Sequence, residues 1–180
     1  MTVPKLVRAD RNVGSPYNPT GNPLVDAVGP ADYADRADVP DLTAHGQAKI
    51  VPMRAAPGFF IAEGDPDPRG LAVKACDGVV AGRIVEIWVD RSEPQVRYYE
   101  VQLINGGRTV LLPAPFVQWP NFGLTPTDHV LVKAITAAQF GEVPGIKDPA
   151  QITLREEDRI SAYYAGGHLY ATPARSQPIV

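Results

Sequence analysis

The chain has 180 residues, with 17 Lys+Arg against 20 Asp+Glu and a net charge of −3, room for one domain of ordinary size and an extended segment. No stretch concentrates Lys or Arg, which argues against a nucleic-acid binder, and the lone Cys76 excludes an intrachain disulfide and suits a reducing compartment. Met1-Thr2-Val3-Pro4 leads into polar residues rather than a secretory signal. Every apolar run falls short of the ~20 residues that a bilayer span needs, so the chain by itself is expected to be soluble.

Ten of the 19 prolines lie in the first 70 residues. Each removes a backbone donor and fixes φ, so this region is not expected to hold a long helix or a central strand. Residues 1–69 show no clear period, yet Leu24, Val28, Ile50, Val51, Phe59, Phe60 and Ile61 punctuate them. A solvated linker has little use for Phe59-Phe60-Ile61. The segment therefore reads as an extended arm lying along its own domain or a partner, with Phe59 and Phe60 as exposed anchors.

The pattern changes at Gly70. Residues 71–75 read as a short strand, and Asp77-Gly78 is a two-residue hairpin signal. Residues 83–90 follow, with Val85, Ile87 and Val89 expected on one face. Arg91-Ser92-Glu93-Pro94 is a loop, and residues 96–103 place Tyr99, Val101 and Leu103 together. Asn105-Gly106-Gly107 turns into residues 108–113, and residues 117–119 and 129–132 are candidates to complete a small antiparallel barrel or sandwich over residues 70–133.

Residues 134–180 read as a helical segment and tail. Residues 134–140 are expected to form two helical turns. Thr153-Leu154-Arg155-Glu156 is a capping box, with Glu156, Glu157 and Asp158 where the helix dipole favours negative charge. That helix is expected to end near Tyr164, stopped by Gly166-Gly167.

No catalytic constellation appears. There is no phosphate-binding Gly-rich loop, no His-Glu-x-x-His and no Cys-x-x-Cys; His45, His129 and His168 are far apart; Cys76 has no visible base. The chain is expected not to be an enzyme.

Several segments in order resemble the H subunit of purple-bacterial photosynthetic reaction centres. They include Pro19-Thr20-Gly21-Asn22-Pro23, Lys49-Ile50-Val51-Pro52-Met53, Asp67-Pro68-Arg69-Gly70-Leu71 and Ile87-Trp88-Val89-Asp90-Arg91-Ser92-Glu93. The most specific are Gln151-Ile152-Thr153-Leu154 with Glu156-Glu157-Asp158, and Ser161-Ala162-Tyr163-Tyr164-Ala165-Gly166-Gly167 running on to Leu169-Tyr170-Ala171-Thr172-Pro173. The resemblance implies a mainly β fold: a PRC-type β-barrel preceded by the Pro-rich arm and followed by a short helical segment. It implies a cap on the cytoplasmic face of the L and M subunits, at the photosynthetic inner membrane. Bacteriochlorophyll, bacteriopheophytin, quinones and iron would reside in those partners, none in this chain.

The family's N-terminal transmembrane helix is not in this sequence. Either the chain is a soluble portion of the subunit, or the anchor is a separate peptide; that peptide and a light-harvesting 1 ring are the further expected partners. A free-standing PRC-barrel adaptor is the alternative, though it would not need the long arm.

The resemblance also implies a proton path toward the secondary quinone. Glu93 matches the acidic residue of the loop after the Trp-Val-Asp strand, against the reading of a solvated turn glutamate. Asp90 and Arg97 flank it and could tune it. His45 matches a histidine at the proton entry, although Gln47 replaces the family's second histidine and Thr43 an acidic residue, which weakens any surface metal site. Asp38 and Asp41 could supply entry carboxylates, and Glu157 matches an acidic position at the helix start.

Overall fold

A computed structural model describes residues 5–104, 106–120 and 126–176. Asn105, the first residue of the expected Asn-Gly-Gly turn, lies outside the described residues. Among the described residues the chain is mainly β, with one α-helix toward the C-terminal side. The strands are β1 (Leu6–Arg8), β2 (Tyr17–Pro19), β3 (Ile50–Pro52), β4 (Ala72–Lys74), β5 (Val80–Asp90), β6 (Gln95–Leu103), β7 (Thr109–Pro113) and β8 (His129–Leu131), and the helix is α1 (Leu154–Tyr170).

β5 is the spine of a six-stranded sheet ordered β7-β6-β5-β4-β8. One of its edges pairs along its length with β6; its other edge takes β4 near its start and β3 at its end. The β4–β5 connection is the Asp77-Gly78 turn, where Ala75 and Val79 close a hydrogen bond at 2.9 Å and Gly78 takes φ 78°. The expected strands are thus present except at residues 117–119, where Gln118 makes only an isolated bridge to Leu131, and there are two further departures. β8 runs parallel to β4, so the sheet is not purely antiparallel. The arm is not strandless: β1 and β2 form their own two-stranded sheet, and β3 joins the main one. Pro52 is tolerated at the end of β3 because that strand sits at an edge.

The register of β5 shifts between Ile84 and Glu86. Val85 is pushed outward and exposed, while Ile87 and Val89 are buried, so the expected single face of Val85, Ile87 and Val89 is broken by the bulge. Beyond the bulge every residue from Glu86 to Asp90 is buried, Trp88 completely. On β6, Tyr99 and Val101 pack inward as the alternation requires.

The helix corrects two expectations. Residues 134–140 do not make two α-turns; the helical piece there is a 3₁₀ segment, Ala138–Glu142. α1 does not stop at Gly166-Gly167 but runs through both to Tyr170. These glycines serve close approach instead. A Cβ at Gly166 would lie 2.5 Å from the Ala31 Cβ of the arm, and one at Gly167 would lie 2.3 Å from the Ala134 carbonyl oxygen. Just before them the helix buries Tyr163 and Tyr164. Tyr164 lies edge-on to Phe140 and tilted against Phe116, with centroids 5.9 and 5.5 Å away.

The capping box is formed as expected. Thr153 Oγ1 accepts from Glu156 N at 3.2 Å, and Glu156 Oε2 accepts from Thr153 N at 2.9 Å. The arm completes the cap: Leu154 N donates to Val39 O at 3.0 Å and Arg155 N to Ala37 O at 3.3 Å. Two donors that a helix leaves unpaired at its start are thereby satisfied from more than a hundred residues away.

Gly167→Ala is expected to destabilise the chain by ~1–3 kcal/mol, the usual range for overpacking a close-packed contact. Denaturant unfolding monitored by Trp fluorescence checks this, and an unchanged midpoint would refute the close-approach role.

Candidate functional site

Residues 41–49 of the arm form a small hairpin. Lys49 N donates to Asp41 O and Thr43 N to Gln47 O, both at 2.8 Å, with Gly46 at φ 74° in the turn. His45 lies at the exposed tip, its backbone N–H donating to Thr43 Oγ1 at 3.3 Å. At the base, Lys49 Nζ is 3.6 Å from Asp41 Oδ2.

β3 begins immediately after Lys49, and its pairing sets Ile50 opposite Asp90. This register brings Lys49 Nζ to 3.6 Å from Asp90 Oδ2 as well. Asp90 is fully buried. Its Oδ1 accepts from Ser92 N at 2.8 Å and from Glu93 N at 3.1 Å, which shapes the loop after β5. Its Oδ2 has no hydrogen-bond partner. An unpaired buried carboxylate is costly, and the Lys49 ammonium supplies the nearest counter-charge. Glu93 itself is exposed, with Oε2 accepting from Gln95 Nε2 at 3.2 Å.

A second group gathers at the start of α1. Glu157 Oε2 accepts from the buried Tyr98 hydroxyl at 3.1 Å and lies 3.7 Å from Arg97 Nη2. Burial pushes the Glu157 carboxyl above its ordinary range; the Tyr98 hydrogen bond and the positive charges of Arg97 and Arg36 oppose this, and the Asp41 carboxylate adds to it. Burial, followed by the negative charge of Glu157, holds the Tyr98 phenol well above its ordinary range, so it remains a donor. Asp38 is bonded to Lys147 Nζ and accepts from Thr153 Oγ1 at 3.0 Å, and these two hydrogen bonds hold its carboxyl below the usual value.

The seven residues singled out from the sequence therefore fall into a pattern with a few surprises. His45 sits at the exposed tip of the arm hairpin, and Lys49 at its base stands between the Asp41 and Asp90 carboxylates. Glu93 is joined to Asp90 through its backbone N–H. Arg97 is paired with Glu157 rather than with Glu93. Asp38 belongs to the helix cap. Asp41 connects the two groups, ion-paired to Lys49 and close enough to Glu157 to raise it.

Sequence reasoning missed Lys49 and Tyr98. A lysine directly before a buried apolar strand, and a tyrosine on the face opposite Tyr99, were the available signals. It also missed Arg54, which holds the cross-strand carboxylates Glu86 and Glu100 at 3.1 and 3.7 Å while Trp88 Nε1 donates to Glu100 at 3.1 Å. Like charges facing across a ladder are unfavourable without such a cation. Of the expected anchors, Phe60 is 80% exposed and Phe59 half-buried at the rim of an open apolar cavity of about 400 Å³, floored by Ile87, Val89 and Tyr99. Among the described residues, no three metal-ligating side chains converge, and no helix is long and apolar enough to cross a membrane.

Comparison with known families gives two matches in series. Residues 3–55 match the photosynthetic reaction centre H-chain N-terminal region, and residues 61–139 match the PRC-barrel domain. The first contains the arm hairpin with His45, Asp41 and Lys49; the second contains Asp90, Glu93 and Arg97.

The raised Glu157 carboxyl gives a signed prediction. A group whose folded pKa exceeds its unfolded value binds its proton more tightly when folded, so the native chain holds its advantage at low pH and loses it as pH rises from about 4.5 through the folded value. The stability of the native chain relative to Glu157→Gln is expected to decline across that window. A difference that is flat or rises with pH in denaturant titrations would contradict the raised carboxyl.

Proposed function

The chain belongs to the photosynthetic reaction-centre H-chain family, and on that premise we propose that it caps the L and M subunits on the cytoplasmic face of the photosynthetic membrane, stabilises the complex and conducts protons toward the secondary quinone. Membership implies association with the reaction-centre complex as a structural subunit of a membrane-associated assembly, not as an enzyme. Bacteriochlorophyll, bacteriopheophytin, quinones and iron belong, in this reading, to the partner subunits.

Reduction of a quinone to a quinol consumes two protons along with two electrons. If the quinone is buried in a partner, those protons need titratable groups at separations that a hydrogen bond or one water can span. The observation that carries the proposal is Asp90, a buried carboxylate with an unpartnered oxygen, one step behind the Asp41–Lys49 pair and one backbone bond from Glu93. His45 places at the outer tip an imidazole, a side chain able both to take and to give protons. Lys49 has a definite role in such a line: its ammonium keeps an ionised Asp90 tolerable inside the protein, and a proton arriving at Asp90 releases that hold.

The anchoring face is the rim around Phe60. An 80% exposed phenylalanine beside an apolar cavity favours a partner that covers both. Co-purification of a tagged chain with pigment-bearing L and M subunits tests the assembly. Its absence would favour a free-standing barrel adaptor.

Within an assembled complex, Asp90→Asn and Glu93→Gln are each expected to slow the second proton-coupled electron transfer to the quinone by ~10–100-fold. This is less than the 10²–10⁴ of an obligate acid–base group because parallel entries remain. Flash kinetics unchanged from about pH 5 to 9 would remove the substituted residue from the path.

A further inference from the structure

The sheet of β1 and β2 has no place in the proton path. Residues 5–20 carry Lys5, Arg8 and Arg11 against the single acid Asp10, in a chain whose total charge is −3. Neither strand has a fully buried residue. Arg8 stacks over Tyr17, with its guanidinium carbon 5.8 Å from the ring centroid and Nε donating to the Tyr17 hydroxyl at 3.2 Å. The bend between the strands is closed by Asp10 N to Ser15 Oγ at 2.9 Å and Ala9 N to Pro16 O at 2.8 Å. It holds up Val13, which is 97% exposed, with Arg11 two residues before it. Val7 and Tyr17 are exposed as well.

A two-stranded sheet with no buried strand residue is marginal in water. One that carries three cations against one acid beside exposed apolar groups, in a chain of net negative charge, fits a surface that is both anionic and penetrable. We infer that this hairpin docks on the headgroup layer of an anionic lipid bilayer, with Arg8 and Arg11 facing phosphates, Lys5 adding its charge from beside the Asp26 carbonyl to which it donates, and Val13 entering between headgroups. Lipid is favoured over a protein partner by charge. Cytoplasmic loops of membrane proteins are themselves rich in Lys and Arg and would repel the hairpin, whereas the cytoplasmic leaflet attracts it. This choice rests on the cytoplasmic placement proposed above.

The test uses the full chain with vesicles of pure phosphatidylcholine and of phosphatidylcholine mixed with phosphatidylglycerol. The native chain is expected to sediment with the anionic vesicles at low salt, to be released as salt rises, and to ignore neutral ones. Each neutralisation among Lys5→Gln, Arg8→Gln and Arg11→Gln is expected to weaken partitioning about fivefold, and Val13→Asp to weaken it further. Near-ultraviolet circular dichroism checks that the variants keep the native core.

Equal binding by the native chain and the triple variant, or no binding by either, would overturn the inference. So would a triple variant that loses the L and M subunits while keeping vesicle binding, since that assigns the hairpin to a protein. Hairpin-dependent vesicle binding by a chain that fails to join L and M would support the lipid contact while removing the proposed function.

Discussion

Three backbone pairs, Ile50 with Asp90, Val51 with Val89 and Pro52 with Trp88, tie the arm to the end of β5. Much of the rest follows from this short ladder. A side chain's face in a strand is set by register, and a slip of one residue would send every side chain to the opposite side. The ladder determines that Lys49 stands beside Asp90, that the base of the His45 hairpin meets Arg91 of the loop after β5, and that the arm continues into the 3₁₀ turn Met53–Ala55, from which Arg54 reaches Glu86 and Glu100. Arg91 reinforces it, its guanidinium donating to Ala48 O at 2.9 Å through Nε and its N–H bonding Lys49 O at 2.9 Å.

The structure thereby reconciles two demands that usually oppose each other. A buried carboxylate destabilises unless it is paired, yet a pair made too strong would immobilise the charge. At Asp90 one oxygen is satisfied by two backbone donors, while the other meets an ammonium at 3.6 Å, beyond a normal hydrogen bond. Lys49 is shared with Asp41, so no single contact claims it. Glu157 shows the same balance: burial raises it while a phenol and two guanidinium groups lower it.

The barrel strands were legible because their periods and turns agree: Asp77-Gly78 demands a tight turn, and Tyr99 and Val101 alternate inward. The capping box was legible for the same reason, being local. What was not legible depended on distant partners. β3 looks like any short apolar run, and only β5 makes it a strand. Val85 left its expected face because of a bulge that no local residue announces. Gly166-Gly167 carries the ordinary signature of a helix stop, but Ala31 and the Ala134 carbonyl need that space more than the helix needs to end. In the site, acidic positions could be nominated one at a time from the resemblance, whereas Lys49 and Tyr98, which decide how those acids are held, required the pairing of the arm and the helix with the sheet.

The cap of α1 by Val39 and Ala37 has a consequence for how the chain is made. The arm leaves the ribosome well before the helix start that it completes, with Asp38 and Thr153 separated by 115 positions. Closing so large a loop is entropically slow compared with local turns. The arm must therefore wait while residues 40–152 are made, and the Asp41–Lys49 side of the site is secured at both ends only after the start of α1 has emerged. A nascent chain stalled before Thr153 would carry its β-sheet but leave its leading segment unfastened at the helix end, a natural substrate for chaperones or proteases.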